Sequence, residues 1–179
     1  MDLSNFIESL AEPTPAPGGG SSAGVTVAIA AALVEMSAGI AENSAAVSSA
    51  SALRHEALVL AEQELSSYAP VLEARTPSER EAALAAASAP PARIAETAAE
   101  VAELGVEVAS SASAAVRGDA LTGVVLAEAA ASAAFRLVEI NLGSGAVFDR
   151  ARQAELRAVK ARASATGHAP PSPHAPEPR

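Results

Sequence analysis

The stretch AGVTVAIAAALVEMSAGIA, residues 23–41, constrains the fold of this chain more than any other. It is long enough to cross a bilayer, but it consists mostly of Ala and Gly rather than Leu and Phe. It also contains Glu35, and no aromatic or basic anchors flank it. A helix that is apolar on every side is what the centre of a helical bundle requires. We therefore predict a central bundle helix and no membrane span.

The remainder of the chain favours helices as well. Hydrophobic residues make up 50% of the sequence and aromatic residues only 2%. Alanine is the best helix former, and strand-forming residues are sparse. A chain of 179 residues suggests one domain. We predict an all-α fold, an antiparallel bundle of long helices. Because Ala, Leu and Val each bury little area, we expect a partner chain and hence a homodimer.

The charge balance and the absence of cysteine exclude several classes of function. Twelve basic and 21 acidic residues give a net charge of -9, which argues against nucleic-acid binding and against docking on anionic lipid. Without cysteine, disulfides, thiol catalysis and Cys-based zinc sites are excluded. Asp2 and Glu8 stand where a signal peptide would carry basic residues. We expect a cytoplasmic protein without a metal.

Cap and turn signals divide the chain into helices with short connections. Thr76-Pro77-Ser78-Glu79 predicts a helix start, with Pro at the first helical position and Glu three residues after the Thr. Ser48–Ser51 and Gly118-Asp119 are predicted to be joints, and Asp119 is predicted to cap the helix that follows. The predicted helices cover about residues 5–12, 21–44, 52–74, 77–89, 92–116, 120–142 and 146–163.

The end of the chain is predicted to differ from its body. Residues 164–179 have the Pro-rich composition of a disordered tail, so the domain is predicted to end at residue 163. We expect His168 and His174 to be neither ligands nor catalysts. Within the body, Glu96, Glu100, Glu103 and Glu107 recur at helical spacing, and we expect a solvated acidic face rather than a cation site.

The apolar run is preceded by PTPAPGGGSS, residues 13–22. The prolines favour an extended approach, and the glycines let another group come close to the backbone. Ser21 and Ser22 can cap the following helix, whose free N–H groups and dipole suit a carboxylate or phosphate. A flexible joint is the simpler interpretation. The stretch is not a P-loop, because no Lys-Ser/Thr pair follows, nor a dinucleotide fingerprint, because no strand precedes it.

Two stretches resemble a known family. FIESLAEPTPAPGGGSSAGVTVAIAAALVEMSAGIA is similar to the opening of the formiminotransferase-cyclodeaminase C-terminal family, which includes stand-alone methenyltetrahydrofolate cyclohydrolases. The matching positions are Leu10-Ala11, Pro15 to Ser21 and Met36. GDALTGVVLAEAAASAAFRLVEINL also resembles the family, with Asp119 and Asn141-Leu142 in the expected places. The resemblance follows the predicted helices in order, and the tail lies outside it.

The resemblance implies an all-α subunit, usually a homodimer, that acts on one-carbon tetrahydrofolates. One family reaction closes formimino-tetrahydrofolate to methenyl-tetrahydrofolate and releases ammonia, and another opens methenyl-tetrahydrofolate with water to give formyl-tetrahydrofolate. Both pass through a tetrahedral carbon between two nitrogens, which requires a proton-transfer group and a negative environment for a cationic carbon. The tetrahydrofolate derivative is the substrate, and no further cofactor is implied. We favour the cyclohydrolase reaction, because no formiminotransferase domain accompanies this sequence.

The resemblance and the residue chemistry together nominate the site residues. Asp119 and Glu64 are the predicted catalytic carboxylates, although Asp119 can be only a helix cap and Glu64 only a surface residue. The predicted substrate-binding residues are Gly18, Gly19, Gly20, Ser21, Glu35, Tyr68 and Glu139.

Several of these nominations carry alternatives. Glu35 in its apolar run is costly unless it is paired, so it belongs to a site, a dimer seam or a helix edge. Glu139 can pair with Arg136 one turn back. Tyr68 can stack on a pterin ring or belong to the core or an interface. His55 is expected at the surface.

The sequence also departs from the family pattern. Ala41-Glu42-Asn43-Ser44 replaces a stretch that is commonly basic, and Glu139 replaces a common Arg. Glu64 and Tyr68 stand where Asp and Phe are frequent, and Gly118-Asp119 replaces a Ser-Asp pair. These changes keep two alternatives open: a diverged enzyme that opens or closes a ring on a less anionic, non-folate molecule, and a non-catalytic dimeric helical protein.

Overall fold

The computed structural model describes residues 2–166 of the chain, and this part is helical without a strand. The predicted all-α class is confirmed. The helices are α1 (Leu3–Ala11), α2 (Gly19–Ile40), α3 (Ser44–Ser67), α4 (Ala69–Glu73), α5 (Pro77–Ala87), α6 (Ala89–Ser111), α7 (Ala114–Asn141) and α8 (Ala146–Thr166).

The bundle is built around α2, which packs against α3, α6 and α7. Helices α2 and α7 are antiparallel, because Gly19 at the start of α2 lies beside Leu137 near the end of α7. At the other end, the Ser37 hydroxyl donates a hydrogen bond to the Val116 carbonyl, at 3.4 Å. The beginning of α2 and the end of α7 therefore meet at the same end of the bundle.

Glycines allow these helices to approach closely. A Cβ on Gly123 of α7 would lie 2.9 Å from the Ala30 carbonyl oxygen of α2 and 3.0 Å from a Val34 methyl group. A Cβ on Gly24 of α2 would lie 2.9 Å from the Ala61 Cβ of α3. The core itself is made mostly of buried Ala and Val, so the close approach follows from the small side chains, as predicted.

The central helix is not buried on every side. Ile29, Met36 and Ile40 of α2 remain 46%, 44% and 59% exposed. By length and composition alone, α2 and α7 are each long and apolar enough to cross a membrane. In the fold, 50% and 44% of their respective apolar 18-residue stretches are buried. The core helices of soluble proteins pass the same test.

Two predicted joints are wrong, because tertiary packing overrides local preference. Ser48–Ser51 lie inside α3, where the neighbouring Ala46 and Ala50 are buried against the core. Gly118 and Asp119 lie inside α7, where Val116 and Ala120 are buried on either side. The break precedes them, at Ala112-Ser113, so Asp119 does not cap a helix. A mid-helix Gly costs about 1 kcal/mol relative to Ala, which buried neighbours offset.

Other boundaries agree with or refine the prediction. The Thr76 capping box is confirmed: the Thr76 hydroxyl accepts from Glu79 N at 3.2 Å, and the Glu79 carboxylate accepts from Thr76 N at 3.1 Å. Helix α6 begins at Ala89, three residues before the predicted start at residue 92, with Pro90 and Pro91 in its first turn. The third predicted helix divides at Tyr68 into α3 and α4. Helix α8 continues to Thr166, and the rest of the predicted tail lies outside the described residues.

The acidic face of α6 is covered in part by α8, so the predicted solvated stripe is only partly correct. Arg157 of α8 donates to Glu103 at 2.9 Å, and Arg150 lies 3.5 Å from Glu96. Arg93 on α6 itself binds Glu56 of α3 at 2.7 Å. Beneath these ion pairs, α8 packs against α6 with buried Ala residues. The stripe is therefore paired with Arg residues of α6 and α8 rather than fully solvated.

Candidate active site

A cavity of about 540 Å³ lies at the end of the bundle where α2 begins and α7 ends. Four segments form its walls: the proline-glycine loop before α2, the end of α3 with the start of α4, the first turn of α6, and the last turn of α7. The lining residues are Pro15, Ala16, Gly18, Gly19, Gly20, Ser21, Glu64, Leu65, Ser67, Tyr68, Ala69, Leu72, Pro91, Leu137, Ile140 and Asn141.

Glu64 of α3 is the acidic residue of this lining. The side chain is half-buried, and no Lys or Arg of residues 2–166 pairs with it. Burial raises the pKa of its carboxyl above the usual value, and the Ser67 hydroxyl, which donates to Oε1 at 3.3 Å, partly offsets this. A carboxyl with a raised pKa is better suited to donate a proton as a general acid.

Gly20 makes room for this carboxyl. A Cβ at Gly20 would overlap the Glu64 carboxylate and would lie 2.8 Å from Glu64 Cγ. At Gly19 and Gly18 the nearest atoms to such a Cβ would be 3.6 and 3.7 Å away, which is ordinary contact. Of the three consecutive glycines, Gly20 is therefore the one that the position of Glu64 requires.

The first turn of α2 presents unused donors to the cavity. The first backbone bond of the helix runs from Ser22 N to Gly18 O, so the N–H groups of Gly19, Gly20 and Ser21 have no helical partner. Ser21 is 2% exposed, and its hydroxyl makes no hydrogen bond within residues 2–166. These donors, at the positive end of the helix dipole, suit an oxygen that carries negative charge.

The serines do not cap α2, contrary to prediction. The helix begins two residues earlier than expected, at Gly19, with Gly18 at the N-cap and no capping side chain. The Ser22 hydroxyl instead donates back to the Gly18 carbonyl at 2.8 Å. Because α2 begins at Gly19, the N–H groups of its first turn line the cavity.

Apolar side chains and Tyr68 form the mouth of the cavity. Tyr68 is 40% exposed, Leu72 60% and Ile140 79%. Such a mouth suits a flat ring, on whose faces Tyr and aliphatic groups can pack. Sequence analysis missed Ser67, Leu72, Leu137 and Ile140; only the helical spacing of Ser67 from Glu64 gave a signal for one of them.

Six predicted site residues gather in this cavity: Gly18, Gly19, Gly20, Ser21, Glu64 and Tyr68. Three others do not reach it within one subunit. Glu35 pairs with Arg54 of α3 at 2.7 Å, which lowers the pKa of its carboxyl. Glu139 pairs with Arg136, three residues back in α7, and does not line the cavity. Asp119 precedes Asn141 by 22 residues in α7, which is about 33 Å along the helix.

His55 lies on the surface, as expected, with Nδ1 2.7 Å from the Ser51 carbonyl. In the described part of the chain, no group of three or more His, Asp or Glu is arranged to hold a metal ion.

A helical bundle with a protonatable carboxyl facing free backbone donors in a cavity of this size has the features of an enzyme for a small molecule. The chain belongs to the formiminotransferase-cyclodeaminase family, whose model matches residues 2–162. This confirms the resemblance carried by the two sequence stretches. No curated protein is significantly similar to the chain in sequence.

The fold is also that of a solved relative. Formiminotetrahydrofolate cyclodeaminase from Thermotoga maritima superposes with a TM-score of 0.87 at 21% sequence identity, over 93% of this chain and 94% of that one. At this identity the likeness establishes the fold. The family assignment rests on the match of the family model to residues 2–162.

Proposed function

We propose that the protein is an enzyme of one-carbon tetrahydrofolates that acts on a carbon between two nitrogens. In the first of two candidate reactions, it opens methenyl-tetrahydrofolate with water to give formyl-tetrahydrofolate. In the related reaction, it closes formimino-tetrahydrofolate and releases ammonia. The observation that carries the proposal is the half-buried Glu64 carboxyl against the free N–H groups of α2, in the cavity of a member of this family.

The opening reaction shows what the cavity must do. Water loses a proton to a base as its oxygen bonds to the cationic carbon, and the π electrons move to one nitrogen. The hydroxyl of this tetrahedral intermediate then loses its proton, C=O forms, and the other C–N bond breaks. The electron pair of that bond stays on nitrogen, which takes a proton from an acid. One water proton ends on nitrogen and the other in solvent.

The described residues can be assigned to parts of this chemistry. Glu64, with its raised pKa, is the proton donor to the leaving nitrogen. The N–H groups of Gly19 and Gly20, with the Ser21 hydroxyl, stabilise the oxygen on the tetrahedral carbon. Ring closure with loss of ammonia shares the need for the proton donor, because its leaving group is also a nitrogen that must be protonated. Its tetrahedral carbon carries no oxygen, so the oxygen-stabilising role of the N–H groups belongs to the opening reaction alone. The proposed steps require no cofactor.

The apolar mouth supports the ring part of the substrate. Tyr68, Leu72 and Ile140 are placed to pack on a flat heterocycle while the reacting carbon lies deeper, at Glu64. In this orientation the anionic tail of a folate points toward solvent. This accounts for a cavity lining without Lys or Arg among the described residues.

We further propose that the enzyme is a cytoplasmic homodimer without a membrane span. The exposed apolar residues of α2 and α7 would be buried in a contact with a second copy of the chain. A membrane-facing surface would carry flanking basic or aromatic anchors, and none flank the apolar run of α2. An acidic chain without cysteine is consistent with this location.

Two parallel assays test the function. Purified protein is added to 5,10-methenyltetrahydrofolate, whose near-ultraviolet absorbance is lost on opening, and to formimino-tetrahydrofolate, whose closure releases ammonia. Acceleration of either reaction supports the proposal and identifies the substrate. If neither reaction is accelerated at high protein concentration, the folate proposal is wrong, and the cavity serves another ligand.

A further inference from the structure

Ser67, the last residue of α3, contacts one of the two oxygens of the Glu64 carboxyl. Its hydroxyl donates a hydrogen bond to Glu64 Oε1 at 3.3 Å. The other oxygen, Oε2, is the Glu64 atom closest to a Cβ built on Gly20, so it faces the first turn of α2. The two oxygens therefore have different neighbours, a hydroxyl donor at Oε1 and the beginning of α2 at Oε2.

This asymmetry determines where the carboxyl carries its proton. A protonated carboxyl holds its proton on one oxygen, and the other oxygen acts as an acceptor. Because the Ser67 hydroxyl donates to Oε1, Oε1 takes the acceptor role and the proton belongs on Oε2. Oε2 faces the turn whose N–H groups are proposed to stabilise the tetrahedral oxygen. A proton on Oε2 is therefore directed toward the reacting carbon.

Ser67 also makes a hydrogen bond that serves only the helix. Its hydroxyl lies 3.2 Å from the Glu64 backbone carbonyl oxygen, so one O–H is shared between two acceptors. The neighbouring Ser66 makes only the backbone contact, to the Gln63 carbonyl at 3.4 Å, and it does not line the cavity. Ser66 is therefore an internal control for Ser67, since the two differ in the contact with the carboxyl.

No other side chain of residues 2–166 forms a hydrogen bond or ion pair with the Glu64 carboxyl. The cavity walls from α2, α6 and α7 contribute no ionisable side chain, and the only other ionisable residue of the lining is Tyr68. Burial raises the pKa of Glu64, and the Ser67 hydroxyl partly lowers it. Removal of the Ser67 hydroxyl should therefore change the carboxyl without disturbing a charged partner.

We propose that Ser67 is a positioning residue, whose hydroxyl holds Glu64 Oε1 as an acceptor and keeps the transferable proton on Oε2. This inference rests on the proposed function, in which Glu64 protonates the leaving nitrogen. As the Oε2–H bond breaks, an N–H bond forms and negative charge spreads over both carboxylate oxygens. Ser67 then donates to a charged acceptor, which is a stronger hydrogen bond. The carboxylate regains its proton from solvent before the next turnover.

Kinetics of three serine variants test the proposal across pH. In Ser67→Ala, kcat at low pH should fall about tenfold, as expected for one lost hydrogen bond, while KM stays nearly constant. The fall of kcat with rising pH should also move to higher pH, because the lost hydrogen bond favoured the carboxylate. Ser67→Thr keeps the hydroxyl and should restore both properties. Ser66→Ala should leave both unchanged.

Either of two kinetic results would overturn the positioning role. Equal losses in Ser66→Ala and Ser67→Ala would show that both hydroxyls serve only the end of α3. A lower kcat in Ser67→Ala with an unchanged pH profile would show that the hydroxyl does not act through Glu64.

Carboxyl ¹³C NMR of protein labelled in its glutamate side chains separates this inference from the proposed function, because it needs no substrate. The Glu64 signal is identified by its loss in Glu64→Gln. Its titration midpoint should be higher in Ser67→Ala than in wild type and unchanged in Ser66→Ala. An unchanged midpoint in Ser67→Ala would overturn the contact whatever the activity. A raised midpoint in a protein that accelerates neither folate reaction would support the contact and overturn the function, together with the catalytic role assigned to it.

Discussion

Gly20 stands closest to the side chain on which the proposed chemistry depends. A methyl group there occupies the space of the Glu64 carboxylate. The carboxylate is the end of a flexible side chain, so Gly20→Ala should fold while Glu64 turns away from α2. The sequence showed three equivalent glycines, and only the packing of α3 against α2 distinguishes them.

Gly20→Ala is therefore expected to lose about 10²-fold or more in kcat, with little change in melting temperature. Gly19→Ala makes the same substitution one residue earlier, with its Cβ 3.6 Å from Leu137. Gly19→Ala should leave the pH dependence of kcat unchanged, because Glu64 keeps its position. Steady-state kinetics across pH measure both. Equal losses in the two variants would show that steric placement of Glu64 is not the reason for the glycine.

Glu64 also links function to stability. Because burial raises the pKa of its carboxyl in the folded state, the folded protein loses stability as the pH rises through that pKa. Glu64→Gln removes this cost while it removes the acid. We expect a higher melting temperature than wild type above neutral pH, and a difference that disappears in acid. Thermal unfolding at several pH values tests this, and a destabilised variant at high pH would contradict it.

At the scale of elements, the sequence predicted the helices well and their junctions less well. Thr76 and Glu79 satisfy each other locally, so their signal needs no tertiary information. Ser48–Ser51 and Gly118-Asp119 are weak local breakers, and burial of the alanines beside them overrides their preference. The small-residue composition correctly indicated close helix approach, but it did not show which face of α2 stays exposed.

Close packing of α2 on α7 makes Gly123 intolerant of a side chain. Gly123→Ala sets a methyl group against the Ala30 carbonyl, a backbone atom that cannot move alone. We expect a loss of about 1–3 kcal/mol in unfolding free energy. Gly143→Ala, with no atom within 4 Å of the new Cβ, should change it by less than about 0.5 kcal/mol. Urea denaturation compares them. Equal stability of the two variants would contradict the close approach.

At the scale of the whole molecule, the bundle decides which predicted residues meet. Gly18–Ser21, Glu64 and Tyr68 gather because α2 begins where α3 ends. Asp119 lies too far along α7, because 22 residues of continuous helix separate it from Asn141 at the cavity. Neither outcome could be read from motifs, since both depend on helix length and direction. Within one subunit, Asp119 therefore does not reach the cavity that contains Glu64.

The exposed apolar residues Ile29, Met36 and Ile40 of α2 predict a dimer in solution. With a chain of 17.7 kDa, light scattering at micromolar concentration should give about 35 kDa. Ile29→Lys introduces a charge among these residues and should shift the mass toward that of a monomer. Leu156→Lys makes the same change at an exposed position of α8 and should leave the mass unchanged. A monomeric wild type would contradict the dimer.

The most direct test of the central claim compares wild type with Glu64→Gln on 5,10-methenyltetrahydrofolate, by the rate of absorbance loss. The account predicts that wild type accelerates the loss and that the variant is slower by about 10²–10⁴-fold in kcat. It also predicts that wild-type kcat falls as the pH rises through the raised pKa of Glu64. A variant as fast as wild type would contradict the assignment of Glu64, and an inert wild type would contradict the function.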